Sequence, residues 1–316
     1  MVEGDDSGAG QEMNLAWLRE VPLRGRLRFN EPMARHCTWR AGGAVERFFE
    51  PLDLADLAAY LRAAPRDEPL TWVGFGSNLL VRDGGLRGTV IATATALGKL
   101  IWRDEHTVYA GAGVACAKVA RQAASRQLGG GEFLAGIPGT IGGALAMNAG
   151  AFGHEIWELV ESVETLGRDG VLKTRAASEF RAAYRHIDGL HEEWFAAGVL
   201  KLGKNDGAGA KVKALLQARG ASQPLGLPSC GSVFKNPPGD FAGRLIEAAG
   251  AKGAVRGGAY VSPKHANFII NDGAATAADI EGLMLDVQAA VWAHAGVALE
   301  SEVRILGDFA AGEGRP

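Results

Sequence analysis

Three stretches in the second half of this 316-residue chain hold more polar groups than turns need. In Ser229-Cys230-Gly231-Ser232-Val233-Phe234-Lys235-Asn236-Pro237, a serine follows a glycine and precedes an apolar pair. Its hydroxyl therefore sits on a permissive turn, with Lys235 and Asn236 able to point at the same ligand. A G-x-S-x-G nucleophile elbow is absent, which argues against an acyl-enzyme serine and leaves a ligand-facing or a solvent-facing hydroxyl. Tyr184-Arg185 offers a permanently charged, rigid fork for a carboxylate or enolate, although such pairs are commonplace. Alternation along Glu300-Ser301-Glu302-Val303-Arg304 sends Glu302 and Arg304 to one face, as a surface ion pair or with the carboxylate aimed into a cleft. His265, in Pro263-Lys264-His265-Ala266-Asn267-Phe268, can bind phosphate or bond to backbone; its side chain alone does not decide.

Two glycine-rich stretches in the first half must position whatever these groups act on. Gly129–Gly150 reads GGGEFLAGIPGTIGGALAMNAG. Each glycine inside a helix costs about 1 kcal/mol relative to alanine, so an irregular core loop is expected here. Pro138 removes a donor, while Gly139, Gly142 and Gly143 allow close approach of the main chain. Successive unobstructed N–H groups suit the phosphates of a cofactor; a buried structural crossover is the alternative. The second stretch, Gly74-Phe75-Gly76-Ser77-Asn78-Leu79-Leu80, follows the short apolar run Leu70-Thr71-Trp72-Val73. A strand leading to a glycine loop with a hydroxyl and an amide suits a pyrophosphate, though an ordinary loop fits too. It is no dinucleotide fingerprint, because Leu79 stands where G-x-G-x-x-G needs glycine, and no Gly-Lys-Ser/Thr follows.

Composition narrows the class. With 47% hydrophobic residues the chain can bury more than one core, so two or three domains are expected. Glycine, at 45 residues, is about twice its usual share, and without any collagen or linker pattern this points to tight turns. A net charge of -3 with mixed signs along the chain weakens a nucleic-acid reading. Cys37, Cys116 and Cys230 are odd in number and far apart, so neither a disulfide framework nor a structural zinc site is expected, and a reducing compartment fits. The acidic opening lacks the pattern of a signal peptide, and no segment reaches the roughly 20 apolar residues that span a bilayer.

Residues 1–10 read as a tail, followed by a short helix over Gln11–Glu20. Strands are expected at Val45–Phe49, 70–73, Thr89–Thr93 and Thr107–Ala110. Asp53 caps a helix in which Leu54, Leu57, Ala58 and Leu61 recur at helical spacing, and Cys116–Leu128 is a second helix. Leu159–Leu166 and Val171–Thr174 flank Arg168-Asp169-Gly170 as a hairpin, and Gly198–Leu202 is a further strand. Composition shifts near residue 205. Beyond it come helices over Lys211–Arg219 and Ala242–Ala249, a strand at Asn267–Asn271, a long helix from the cap Thr276 to His294, and a last strand at Val303–Leu306. Helix and strand signals alternate irregularly, which makes the fold α+β.

In order, Arg40-Ala41-Gly42-Gly43, GFGSNLLVRDGG from Gly74, GAG from Gly111, GIPGTIGGALAMNAGAFG from Gly136, Tyr184-Arg185, PSCGSVFKNP from Pro228, SPKHANFIIN from Ser262 and SEVRILG from Ser301 form a specific set. Together they resemble the UDP-N-acetylenolpyruvoylglucosamine reductase family, the MurB flavoenzymes of bacterial peptidoglycan synthesis, in the shorter type II form. The resemblance implies two FAD-binding subdomains of the vanillyl-alcohol-oxidase (PCMH) type plus an α+β substrate-binding subdomain. These would span about 20–87, about 88–205 with 297–309 added back, and about 206–296, after a peripheral segment over 1–19.

By the same resemblance, FAD would be held by Arg40, Gly74, Gly76, Ser77, Asn78, Leu79, Gly113, Gly136, Ile137, Pro138, Gly139, Thr140, Gly142, Gly143, Asn148 and Gly150. NADPH would reduce the flavin, which would pass hydride to the vinyl carbon of UDP-N-acetylglucosamine enolpyruvate. Arg185 would hold the substrate carboxylate, Glu302 would help polarise it, and Ser232 would protonate C2. Tyr184, Lys235, Asn236, Lys264 and His265 would bind the sugar nucleotide. A cytoplasmic monomer without a metal is implied. The chain departs from the family's Y-R-x-S pattern, because Ile187 stands where the serine would support Arg185; a backbone carbonyl or Glu302 would have to orient the guanidinium. Two other readings stay open: an FAD-dependent alcohol or aldonolactone oxidase of the same fold, and a non-catalytic sugar-nucleotide-binding protein. The first would be marked by flavin attached through a histidine, and the early flavin loops offer no obvious one.

Overall fold

The computed structural model describes residues 16–19 and 21–312. Val45, Phe48 and Phe49 in Ala44–Glu50, and Val90 and Ile91 in Leu86–Ala92, are almost wholly buried. Such continuous burial suits parallel strands covered on both faces. The two are the centre of a four-stranded sheet ordered Arg26–Pro32, Ala44–Glu50, Leu86–Ala92, Leu70–Val73, whose first pair is antiparallel and whose others are parallel. The helix Leu54–Ala63 lies against it, capped as expected by Asp53, whose side chain accepts from the Asp56 N–H at 2.9 Å. Of the expected Gln11–Glu20 helix, Ala16–Arg19 is helical; Gln11 to Leu15, Glu20, the tail over 1–10 and residues 313–316 lie outside the described residues.

A second unit is built on a five-stranded antiparallel sheet ordered Leu172–Ala176, Val160–Gly167, Glu193–Lys201, Thr107–Gly111, Leu100–Trp102. The hairpin at Arg168-Asp169-Gly170 is present, with Gly170 at φ 70°. Helices Cys116–Ser125 and Ile141–Met147 pack on this sheet through Val119, Ala123, Ile141 and Leu145. The second helix corrects the expectation that so much glycine forbids one. A Cβ on Gly142 would stand 2.7 Å from the Cβ of Ala112, so close packing on the sheet requires the glycine that weakens the helix. Thr140 caps it, accepting from the Gly143 N–H at 3.4 Å.

The third unit packs helices Ala242–Ala248 and Ala277–Ala295 on a small antiparallel sheet of Val255–Arg256, Ala259–Val261 and Ile269–Asn271. Its core also takes in Trp39 and Leu80 from the first unit. Trp39 Nε1 donates to the Ile269 carbonyl and Asn271 Nδ2 donates to the Trp39 carbonyl, both at 2.8 Å.

The helix expected over Lys211–Arg219 runs over Ala208–Ser222 and buries Val212 in the second core, past the composition shift near 205. The terminal strand, Arg304–Leu306, was assigned with 297–309 to the second FAD subdomain. It instead pairs in parallel with Leu79–Val81, directly after the first glycine loop. Pairing is set by which edge offers free donors and acceptors, and a short strand carries no mark of its partner.

Asp83 and Arg82 clamp the third unit to the first. The Asp83 carboxylate accepts from the N–H groups of Ala277 at 3.0 Å and Ala278 at 2.8 Å, at the start of the long helix. Arg82 donates twice to Glu281, at 2.9 Å each. Asp83→Ala should therefore cost about 1–2 kcal/mol, read as a lower midpoint in chemical denaturation, with Asp83→Asn recovering part of it.

Candidate active site

The strand Leu70–Val73 delivers the first glycine loop against the start of the helix Ile141–Met147. A Cβ on Gly74 would lie 2.3 Å from Thr140 Oγ1, and one on Gly139 would lie 3.4 Å from Ser77 Oγ, so the two loops abut. Gly76, at φ 61°, has no room for any side chain, since a Cβ there would meet the His36 carbonyl at 2.0 Å. The loop carbonyls turn into the fold: Gly76 accepts from the Thr38 N–H at 3.1 Å and Gly139 from the Cys116 N–H at 3.0 Å. The N–H groups of Gly76, Ser77 and Gly139 make no backbone hydrogen bond to another described residue. Donors without acceptors, on backbone free of side chains, form a concavity for anionic oxygens.

The loops line a cavity of about 650 Å³. Its wall includes Gly74 and Gly76 through Leu79 from the first loop, and Gly136 through Thr140, Gly142, Gly143 and Gly150 from the second. Arg40, Gly113 and Asn148 stand off this wall. Arg40 is exposed, at φ 58°. Gly113 sits so close to the Thr93 carbonyl that a Cβ would meet it at 2.3 Å, and Thr93 itself lines the cavity. Asn148 is buried at the left-handed end of its helix, donating to Glu155 Oε2 at 2.6 Å and to the Ala183 carbonyl at 3.0 Å.

Ser232, Arg185 and Glu302 all reach this cavity, from different elements. Arg181–Ala183 and His186–Asp188 form a hairpin whose turn holds Arg185 at φ 57°. Arg185 Nε donates to Glu302 Oε1 at 2.7 Å and Nη2 to the Gly150 carbonyl at 3.4 Å, with Glu155 4.0 Å away and the Tyr184 ring 4.8 Å below the guanidinium. These groups orient the guanidinium, while Ile187 joins the second core. The Glu302 partner is thus Arg185, and not the Arg304 of a surface pair. Burial pushes the Glu302 carboxyl above the usual range, against the opposing pull of Arg185 and Lys235.

Ser232 follows Gly231, at φ 76°, and precedes the fully buried Val233. Its segment is stitched beside Glu302 by a bridge between Phe234 and Ser301: the Glu302 N–H donates to the Val233 carbonyl at 2.8 Å and the Lys235 N–H to the Glu300 carbonyl at 2.9 Å. Asn78 of the first loop ties in as well, donating to the Glu302 carbonyl at 3.0 Å. One framework therefore positions the glycine cradle, the hydroxyl and the carboxylate.

The remaining expected ligand groups lie outside the lining. Lys235 pairs with Glu300 at 3.2 Å, Asn236 Oδ1 accepts from the Ala242 N–H at 3.1 Å, and Lys264 donates to the Gly220 carbonyl at 2.6 Å. Tyr184 is exposed and receives the Asn236 N–H at 3.4 Å. His265 is half-buried against Phe268, and burial lowers its pKa. Sequence reasoning missed Trp72, Phe152, Trp194, Arg219 and Arg304, all on the wall. Trp72 and Trp194 stack with centroids 5.0 Å apart. Arg219 donates to Gln223 at 2.8 Å, burial lowers its pKa, and among the described residues no carboxylate forms an ion pair with it. Trp72, as the strand residue feeding the first loop, and Phe152 and Arg304, within the ordered motifs, carried a signal; Trp194 and Arg219 carried none.

A family model of the C-terminal domain of UDP-N-acetylenolpyruvoylglucosamine reductase matches residues 223–306, and a model of an FAD binding domain matches residues 45–175. The UDP-N-acetylenolpyruvoylglucosamine reductase of Alkalilimnicola ehrlichii is 58% identical over 286 residues, covering 90% of this chain and 96% of its own. That of Methylococcus capsulatus is 56% identical over 293 residues, covering 92% and 96%. The crystal structure of the Thermus caldophilus reductase matches with a TM-score of 0.77 at 31% identity, over 90% of this chain and 99% of that one. With relatives this similar over nearly its whole length, the chain belongs to the UDP-N-acetylenolpyruvoylglucosamine reductase family.

Proposed function

We propose that Ser232, Arg185 and Glu302 carry out, in this chain, the family's reduction of UDP-N-acetyl-3-O-(1-carboxyvinyl)-glucosamine to UDP-N-acetylmuramate. The observation that carries the assignment is the Arg185–Glu302 pair, 2.7 Å apart, in the same cavity as Ser232 and both glycine loops. The residues present fit FAD: unengaged loop N–H groups suit its pyrophosphate, and the cavity walls beyond them are apolar and aromatic. When bound, FAD supplies the hydride, delivered to it by NADPH, that adds to the vinyl carbon.

Arg185 holds the substrate carboxylate through its Nη groups and stabilises the negative charge that develops beside it, while Glu302 fixes the guanidinium from Nε. Ser232 gives its proton to C2. A hydroxyl is a weak acid, so this step relies on a strongly basic enolate and on a hydroxyl already held in place. Tyr184, Lys235, Asn236, Lys264 and His265 remain the proposed sugar-nucleotide contacts, and Arg219 adds a cation on the cavity wall itself. Residues 21–87 and 304–306 then form the first flavin unit, 88–222 the second, and 223–303 the substrate unit. Among the described residues no helix is long and apolar enough to cross a membrane; a cytoplasmic monomer is the proposed setting.

Purified protein should be yellow, with an oxidised-flavin spectrum. Ser232→Ala should leave flavin reduction by NADPH intact in stopped-flow absorbance while slowing reoxidation by the enolpyruvyl nucleotide at least about a hundredfold. Equal loss of both half-reactions would sink the proton-donor role. A separate expectation concerns pH. Because the folded state holds the Glu302 proton more tightly than the unfolded state, stability falls as pH rises from the ordinary carboxylate value through the raised one. Denaturation of wild type and Glu302→Gln across that window should show the slope in the wild type and its loss in the variant.

A further inference from the structure

The short strands Gly150–Ala151 and His154–Glu155 close on two residues, Phe152 at φ 55° and Gly153 at φ 84°. A two-residue hairpin with both central residues left-handed is the turn that Asn-Gly or Gly-Gly makes without strain. A bulky aromatic at the first position is a strained choice. Core burial does not account for it, since Phe152 keeps 42% of its surface exposed. The exposed ring nevertheless lines the cavity, and it lies over Gly136 so closely that a Cβ there would meet its Cε2 at 2.6 Å. The same hairpin supports the reactive end: the Gly150 carbonyl and the Glu155 carboxylate are the groups beside the Arg185 guanidinium. Strain kept at a cavity wall, on an element that also touches a reacting side chain, marks a ligand-holding position.

We infer that Phe152 is an aromatic platform for a planar heterocycle bound beside Arg185, the chemistry shared by the isoalloxazine ring of FAD and the nicotinamide ring of NADPH. The inference rests on the flavin reading above. Stacking of a flat ring on an aromatic side chain is worth enough to change affinity about tenfold.

The test uses the full chain, first establishing that wild-type protein holds FAD and is reduced by NADPH; failure there removes the flavin reading and not the role of Phe152. Phe152→Asn relieves the turn and removes the ring, Phe152→Leu removes the ring and keeps the strain, and Phe152→Tyr keeps both. Apoprotein melting temperature, the FAD dissociation constant from flavin fluorescence, and the NADP+ dissociation constant from flavin difference spectra are read for each. The expected result is a higher melting temperature for Phe152→Asn, an unchanged one for Phe152→Leu, about tenfold weaker binding in both, and wild-type affinity in Phe152→Tyr. Weakened FAD binding assigns the platform to the isoalloxazine ring; weakened NADP+ binding with FAD unchanged assigns it to nicotinamide. Wild-type affinity for both ligands in the Asn and Leu variants would overturn the inference. So would a lower melting temperature in both, which would make the ring part of the packing.

Discussion

The 2.7 Å contact between the Arg185 guanidinium and the Glu302 carboxylate joins a hairpin of the second unit to the segment leading into the last strand. Both side chains are largely buried, and a buried charge is tolerated only when paired and hydrogen-bonded. Much of the surrounding backbone serves that requirement. The left-handed turn at Arg185 aims the guanidinium, Asn148 holds the hairpin from behind through the Ala183 carbonyl, and the bridge at Phe234 and Ser301 fixes the stretch that bears Glu302. The pair also divides labour within one fork. Nε is committed to Glu302, while Nη2 reaches the Gly150 carbonyl only at 3.4 Å and Nη1 stands 4.0 Å from Glu155.

The glycine cradle follows a similar logic of exclusion. The Gly76 and Gly139 carbonyls are used by the fold, the N–H groups of Gly76, Ser77 and Gly139 make no backbone hydrogen bond to another described residue, and at Gly74, Gly76 and Gly142 neighbouring atoms stand where a side chain would have to go. Each of these glycines weakens the chain locally. At Gly74 the cost is offset by letting two loops from different units touch, and at Gly76 and Gly142 by close packing on His36 and Ala112 of their own units.

Much of this was legible in the residues because the signals are local. Asp53 and Thr276 each cap the helix that follows them, and the runs at 44–50 and 70–73 form strands. The ordered polar motifs located the cavity wall for the same reason. What escaped depends on distant packing. Glycine propensity argued against the helix Ile141–Met147, and only its approach to Ala112 explains it. Nothing in Arg304–Leu306 names Leu79–Val81 as its neighbour. Arg219, on an unremarkable helix, faces the cavity, which no local pattern announces. Residue type tells what a group can do; which group is left free to do it is set by tertiary partners.

The third unit is fastened to the first by the Asp83 cap, the Arg82–Glu281 pair, and a core that shares Trp39 and Leu80. The first unit is joined to the second as well, through a core that brings Leu57, Leu61 and Ile91 against Leu166 and Ala196 and through the stacked Trp72 and Trp194. Ser232 and Glu302 come from the stretches that bridge at Phe234 and Ser301, and Arg185 from a hairpin of the second unit, so the contact between these units runs along the cavity wall. The ion pair is therefore also a tie between the second and third units, and replacing either side chain removes a link between them as well as a charge from the cavity wall.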